Sequence, residues 1–166
     1  TYLKVLANLA TAERELGHYP RAAELAQEAV EGKAAALGPS HDSTLQSMSM
    51  LADVLRQAGE LERAIATFGA CRDRARSAVP PQLANVYRCD LGEGRCHLAR
   101  REFDAAERLL LACRDGFAAA EAQAAVKGQI VRPDADLLAL YEAWGRPEQA
   151  ARFRPAEPAA GAKQGR

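Results

Sequence analysis

The chain has 166 residues, and its 22 Lys and Arg balance 22 Asp and Glu, so no net field favours nucleic acid or a membrane surface. Ala, Leu, Arg and Glu dominate and aromatic residues make up only 5%, which suits packed helices with small contact residues. No apolar run approaches the roughly 18 residues of a bilayer span, and no signal peptide is visible, so the expected setting is cytoplasmic. The sequence opens inside a helical pattern at Thr1 without an initiator Met, which reads as a piece of a longer protein.

The first predicted helix covers residues 1 to 16, with Leu3, Leu6, Leu9, Ala10 and Leu16 on one stripe. A turn at Gly17-His18-Tyr19-Pro20 leads into a second helix from about Pro20, carried by Ala22, Leu25, Ala26, Ala29 and Val30 and ended by Gly38-Pro39. Ser40, Asp42 and Ser43 are candidate N-caps for a third helix through Leu51, Val54 and Leu55. Gly59 turns the chain into a fourth helix, Leu61 to about Ala78, stopped at Val79-Pro80-Pro81. The fifth helix is expected over Gln82 to Arg100 and the sixth over Asp104 to about Val126, followed by a loop over 127 to 132. A seventh starts at Pro133-Asp134 and runs to Trp144, and Gly145-Arg146-Pro147 turns into a short eighth ending near Arg154. Residues 155–166 have no apolar period and are expected to be disordered.

The turn position recurs at Gly17, Gly59, Arg101 and Gly145, steps of 42, 42 and 44 residues. Ala22, Ala64, Ala106 and Ala150 keep this spacing, as do Ala29, Cys71 and Cys113, and Ala10, Ala52 and Gly94. A fixed period of this size implies stacked helical hairpins, with small residues where two helices cross and large apolar ones beside them. The hairpins fall at about 3–38, 43–79, 82–127 and 133–154, within one domain over 1–154.

These columns resemble the tetratricopeptide repeat, best in the second hairpin through Leu51-Ala52, Gly59, Ala64, Phe68 and Cys71. The 42-residue period and the linker L-G-P-S-H-D-S-T-L are similar to the kinesin-light-chain type, with Asp42 standing where that pattern has Pro. The third hairpin departs further: Glu93 replaces the first-helix Leu, and Arg101 replaces the turn Gly. The ending L-L-A-L-Y-E-A-W-G-R-P-E-Q-A-A-R-F-R resembles the last repeat of bacterial serine/threonine kinases that carry such arrays behind the kinase domain. The resemblance implies an all-α, right-handed superhelical array of antiparallel helix pairs that binds a protein or peptide, without catalysis of its own and without a cofactor.

Cys89, Cys96, His97 and Cys113 are the candidates for a thiol or metal site, because zinc takes four N or S ligands. Against this, the cysteines sit in columns that elsewhere hold Ala29, or Ala12 and Val54, so small buried apolar residues explain them. Leu91-Gly92-Glu93-Gly94 lacks the third Gly, the preceding strand and the lysine of a phosphate loop. His41 is read as a linker residue bonded to its own loop, and His18 as an exposed turn residue.

In tetratricopeptide arrays the first helix of each pair lines the concave wall. The seventh helix contributes Asp136, Ala139 and Glu142 to that wall, and the columns left free on the first three hairpins are Lys4, Asn8, Thr11 and Arg14, then Gln46, Ser49, Met50, Asp53 and Arg56, then Arg88, Leu91, Arg95 and Leu98. Over these three hairpins basic residues outnumber Asp53, which favours an acidic or carboxylate-bearing peptide. Asn8 stands where the kinesin-light-chain type carries an Asn that binds a peptide backbone, although Met50 and Gly92 follow it in the column. The Lys and Asn of the chaperone-tail carboxylate clamp are replaced by Ala7 and Thr11. The competing reading is a homo-oligomer, since the first helix would present an apolar edge.

Overall fold

A computed structural model describes residues 2–122 and 133–155, and among these residues all regular structure is helical. The elements are α1 (Tyr2–Glu15), α2 (Tyr19–Leu37), α3 (Asp42–Gln57), α4 (Leu61–Ser77), α5 (Leu83–Ala99), α6 (Phe103–Ala122), α7 (Asp134–Trp144) and α8 (Pro147–Ala151). Each helix packs on the next in the chain, and α3 also lies beside α5. The hairpins therefore stack into an α-solenoid, and the first helices of neighbouring hairpins share a wall. The expected extension of α6 to Val126, the loop over 127 to 132 and the tail beyond Pro155 lie outside the described residues.

The turns follow from the 42-residue column. Gly17, Gly59 and Gly145 have φ of 79°, 83° and 73°, and Arg101 takes φ 60° at the same place. That left-handed conformation is free for glycine and strained for arginine. The guanidinium of Arg101 lies 5.3 Å from the centre of the Phe103 ring, a cation–π contact that offsets part of the strain.

One cap differs from expectation. The N-cap of α3 is His41, whose Nδ1 accepts the Ser43 backbone N–H at 3.1 Å, rather than Ser40, Asp42 or Ser43. Asp42 is instead the first helical residue, where its charge meets the positive end of the helix, and its Oδ2 accepts from Gln46 Nε2 at 2.7 Å.

The core forms two clusters that meet at α5. One runs from Leu6 through Leu25, Leu45, Leu55 and Phe68 to Val86, Cys89 and Cys96. The other gathers Leu91, Leu110, Cys113, Phe117, Leu137, Leu140 and Tyr141. The Tyr141 hydroxyl donates to Glu107 Oε1 at 2.7 Å, tying α7 to α6. Burial pushes the pKa of that hydroxyl up to about 12. The L-G-E-G segment is helical and buried. A Cβ at Gly92 would come within 2.2 Å of the Phe68 ring, so glycine is required there for close packing.

Candidate functional site: the inner wall

The wall is built on α1, α3, α5 and α7. Lys4, Asn8 and Gln46 are exposed, and Thr11, Arg14, Met50, Asp53, Arg56, Arg88 and Arg95 are half-buried. Two expected wall residues are not at the surface. Ser49 is 4% exposed, with its hydroxyl donating to Gln46 O at 3.0 Å, and Leu91 is 3% exposed within the second core cluster. The column they share with Ala7 lies at the edge where helix packing begins, so neither can meet a ligand directly.

Neighbouring first helices also touch through a repeated diagonal step. Thr11 Oγ1 donates to Ala7 O at 3.0 Å and lies 3.4 Å from Met50 Sδ, joining α1 to α3. Two hairpins on, Arg95 grips Asp136 of α7 through Nε and a terminal nitrogen at 2.8 and 3.0 Å. At the intervening step the position opposite Asp53 is Gly92, and Asp53 Oδ1 accepts from Arg56 Nε at 3.1 Å instead. The bridge between α3 and α5 comes from their starts. Asp42 Oδ1 accepts from Asn85 Nδ2 at 2.8 Å, and Ser40 O accepts from Gln82 Nε2 at 2.7 Å.

These pairings change the electrostatics that the sequence suggested. Arg56 and Arg95 are committed to Asp53 and Asp136, and Arg88 donates to Asn85 Oδ1 at 2.8 Å. Lys4 and Arg14 have no ion-pair partner among the described residues. The positive character of the wall is therefore concentrated on α1. Asp136, Asn85 and Gln82 lie 41 to 43 residues from their partners, a separation that the 42-residue period itself could have flagged.

A second polar feature lies on the outer side, between α4 and α6 above α5. Arg72 donates to Asp90 Oδ1 at 3.2 Å and to Glu93 Oε2 at 2.6 Å, with the Asp90 side chain only 3% exposed. His97 Nδ1 lies 2.5 Å from Glu102 Oε2, and its other ring nitrogen is 3.8 Å from Glu93. One hairpin earlier, the same columns hold Val30, Met48 and Leu51 around a cleft of about 300 Å³. Three apolar residues have thus become a cation and two carboxylates. The unusual Glu93 is explained by Arg72, which sits on the preceding hairpin.

The four cysteines are free and fully buried. Cys96 belongs to one core cluster and Cys113 to the other. Among the described residues no group of three or more His, Cys, Asp and Glu is placed to hold a metal ion. Burial raises the thiol pKa of Cys96 to about 11 and of Cys113 to about 12, which disfavours the nucleophilic thiolate. Among the described residues no helix is long and apolar enough to cross a membrane.

Stacked antiparallel hairpins with a shared wall define the tetratricopeptide class of α-solenoid. The tetratricopeptide repeat family model matches residues 1–77, so the first two hairpins are tetratricopeptide repeats, and the same architecture continues through α8. The fold is similar to the crystal structure of BtubC (BKLC) from P. vanneervenii, with TM-score 0.73 and 20% identity, over 91% of this chain and 59% of that one. It is also similar to a putative kinesin light chain with nearly identical TPR-like repeats from Podosopora anserina, with TM-score 0.71 and 20% identity, over 92% of this chain and 71% of that one. The chain thus spans less than two thirds of the length of BtubC. No curated protein matches the sequence. Tetratricopeptide repeats are in general protein–protein interaction scaffolds, and the fold is typically non-catalytic.

Proposed function

We propose that this region is a non-catalytic scaffold whose inner wall binds an extended, acidic segment of a protein partner. The observation that carries the reading is the wall itself: α1, α3, α5 and α7 present exposed and half-buried polar side chains along one face. Among the described residues Lys4 and Arg14 provide cations without a carboxylate of their own at its α1 end. A peptide carboxylate there would gain charge-assisted hydrogen bonds without breaking existing ones. The exposed amide of Asn8 can donate and accept along a peptide backbone. Residues 1–154 act as the binding unit, in the cytoplasm of a bacterial signalling protein of the serine/threonine kinase kind. Support for that setting is the resemblance of residues 137–154 to kinase-associated repeats, and four free thiols suit a reducing compartment.

The test is selection from a randomised peptide display library on the immobilised chain. Enriched peptides should carry Asp or Glu, and the triple variant Lys4→Glu, Asn8→Ala, Arg14→Glu should lose them while keeping its helical circular dichroism. Enrichment of basic peptides, or acidic peptides held equally well by the variant, would refute the wall as the site.

A further inference from the structure

A cleft of about 300 Å³ opens on the outer side of the solenoid, framed by α2, α3 and α4. Met48 and Leu51 form its floor, and the short side chains of Val30, Ala66 and Ala70 keep its walls low. The equivalent cleft one hairpin on, between α4 and α6, is open as well, at about 350 Å³, so the stacking of successive hairpins leaves this surface uncovered. That second cleft is satisfied from within, because Arg72 in the Val30 column holds Asp90 and Glu93 in the Met48 and Leu51 columns. The first cleft has an apolar floor and, at its edge, the cation of Arg74.

Arg74 departs from the repeat. Its column holds Gly32 one hairpin earlier and Gly116 one hairpin later. Glycine makes room there for the residue packed over it: a Cβ at Gly32 would come within 2.3 Å of the Leu3 side chain, and one at Gly116 within 2.2 Å of the Tyr87 ring. An arginine in this column is therefore not what hairpin packing calls for. Its Nη1 lies 3.2 Å from Met48 Sδ, and a thioether is a weak acceptor for a guanidinium. Among the described residues no carboxylate lies within ion-pair distance of it. On the opposite wall the Gln27 amide donates to Glu31 and keeps its carbonyl oxygen as an acceptor for a peptide N–H.

We propose that this cleft is a second binding site, on the opposite face from the inner wall, for a segment of a partner protein in which a large apolar residue lies within two residues of an Asp or Glu. The apolar side chain seats on Met48 and Leu51. The carboxylate takes the guanidinium of Arg74, as a stronger acceptor than the sulfur it replaces. Charge decides the occupant: an apolar residue alone would leave Arg74 as it is, and a basic neighbour would be repelled. The chain's own residues 155–166 supply Glu157 but no Val, Leu, Ile, Met or aromatic residue, so they cannot cover the floor. A volume of about 300 Å³ is at the lower end of ligand pockets and suits one large side chain. Unbranched Met48 adapts to either an aliphatic or an aromatic one.

The experiment uses the Lys4→Glu, Asn8→Ala, Arg14→Glu chain as bait for peptide display, so that the inner wall does not contribute, and then measures the selected peptides by fluorescence anisotropy. They should pair a large apolar residue with Asp or Glu. Arg74→Gln should weaken them about tenfold, the loss of one charge-assisted hydrogen bond. Replacing the peptide carboxylate by its amide should cost as much with Arg74 present and nothing further with Arg74→Gln. Ala70→Trp, which fills the cleft from an exposed position, should abolish binding with unchanged circular dichroism. Selection of no such peptide, or binding that neither Arg74→Gln nor Ala70→Trp weakens, overturns the proposal. So does a sedimenting mass that doubles with concentration unless Ala70→Trp is present, since the occupant would then be a second copy of the chain.

Discussion

Replacing Arg72 by Val removes the one cation that Asp90 and Glu93 share in the outer groove. The Asp90 side chain is 3% exposed and that of Arg72 18%, so the carboxylates cannot recover their hydration in full. Removing one partner of a buried ion pair costs about 3–5 kcal/mol, and the partial exposure of Arg72 sets the expectation near 3. With a urea m-value of about 2 kcal/mol per molar, the midpoint falls by about 1.5 M. The chain supplies its own control. Adding Asp90→Met and Glu93→Leu to Arg72→Val recreates the Met48, Leu51 and Val30 set of the preceding hairpin, and such replacement is neutral to stabilising by about 1–4 kcal/mol. The sign of the pH effect follows from Asp90, whose carboxyl pKa burial raises. A group with a raised folded pKa stabilises the fold below its unfolded pKa, about 3.9, and loses that contribution as pH rises through the folded value. Losing the guanidinium raises it further, so the deficit of Arg72→Val is full at neutral pH and shrinks as pH falls towards 4. Urea titrations at neutral and mildly acidic pH measure both effects. If the single variant matches wild type, or the triple variant is as weak as the single, the ion pair is not what joins these hairpins.

Arg101→Gly should stabilise the fold, because the φ of 60° costs about 1–2 kcal/mol in a residue with a side chain. The lost contact with Phe103 returns about 0.5 kcal/mol of this. A lower melting temperature than wild type would contradict the assignment of strain. The four buried thiols should resist a thiol reagent at pH 8 in the native state and all react after denaturation, as burial and the raised pKa values of Cys96 and Cys113 require. Rapid labelling of any native cysteine would show that the core opens locally.

The architecture was legible because each hairpin repeats the packing problem of the last. Ala22, Ala64, Ala106 and Ala150 are all fully buried, as one crossing point requires four times over. The wall was less legible, because column membership does not say how far a position turns towards its neighbours. Ser49 and Leu91 share a column that the stacking rotates inwards, and Arg95 spends its charge on Asp136 of a helix 41 residues away. An apolar edge on the first helix was expected, but not which column forms it. Leu9 and Leu51 are alike in sequence, and only the presence of α2 over one of them makes one surface and the other core. His41 was read correctly as bonding its own loop, but its role as a cap needed the backbone geometry.

The charged groove between α4 and α6 also bears on how the chain chooses its own order of stacking. Hairpins of nearly the same shape can dock on the wrong neighbour during folding, a failure characteristic of repeat proteins. A third hairpin stacked on the first would set Glu93 and Asp90 against Val30, burying two carboxylates against an isopropyl group. A third hairpin on the second meets Arg72, and a second on the first joins Val30 to Leu51 and Met48. Swapped in either direction, the junctions leave buried charge without a partner, so three substitutions in otherwise equivalent columns give successive hairpins distinct addresses.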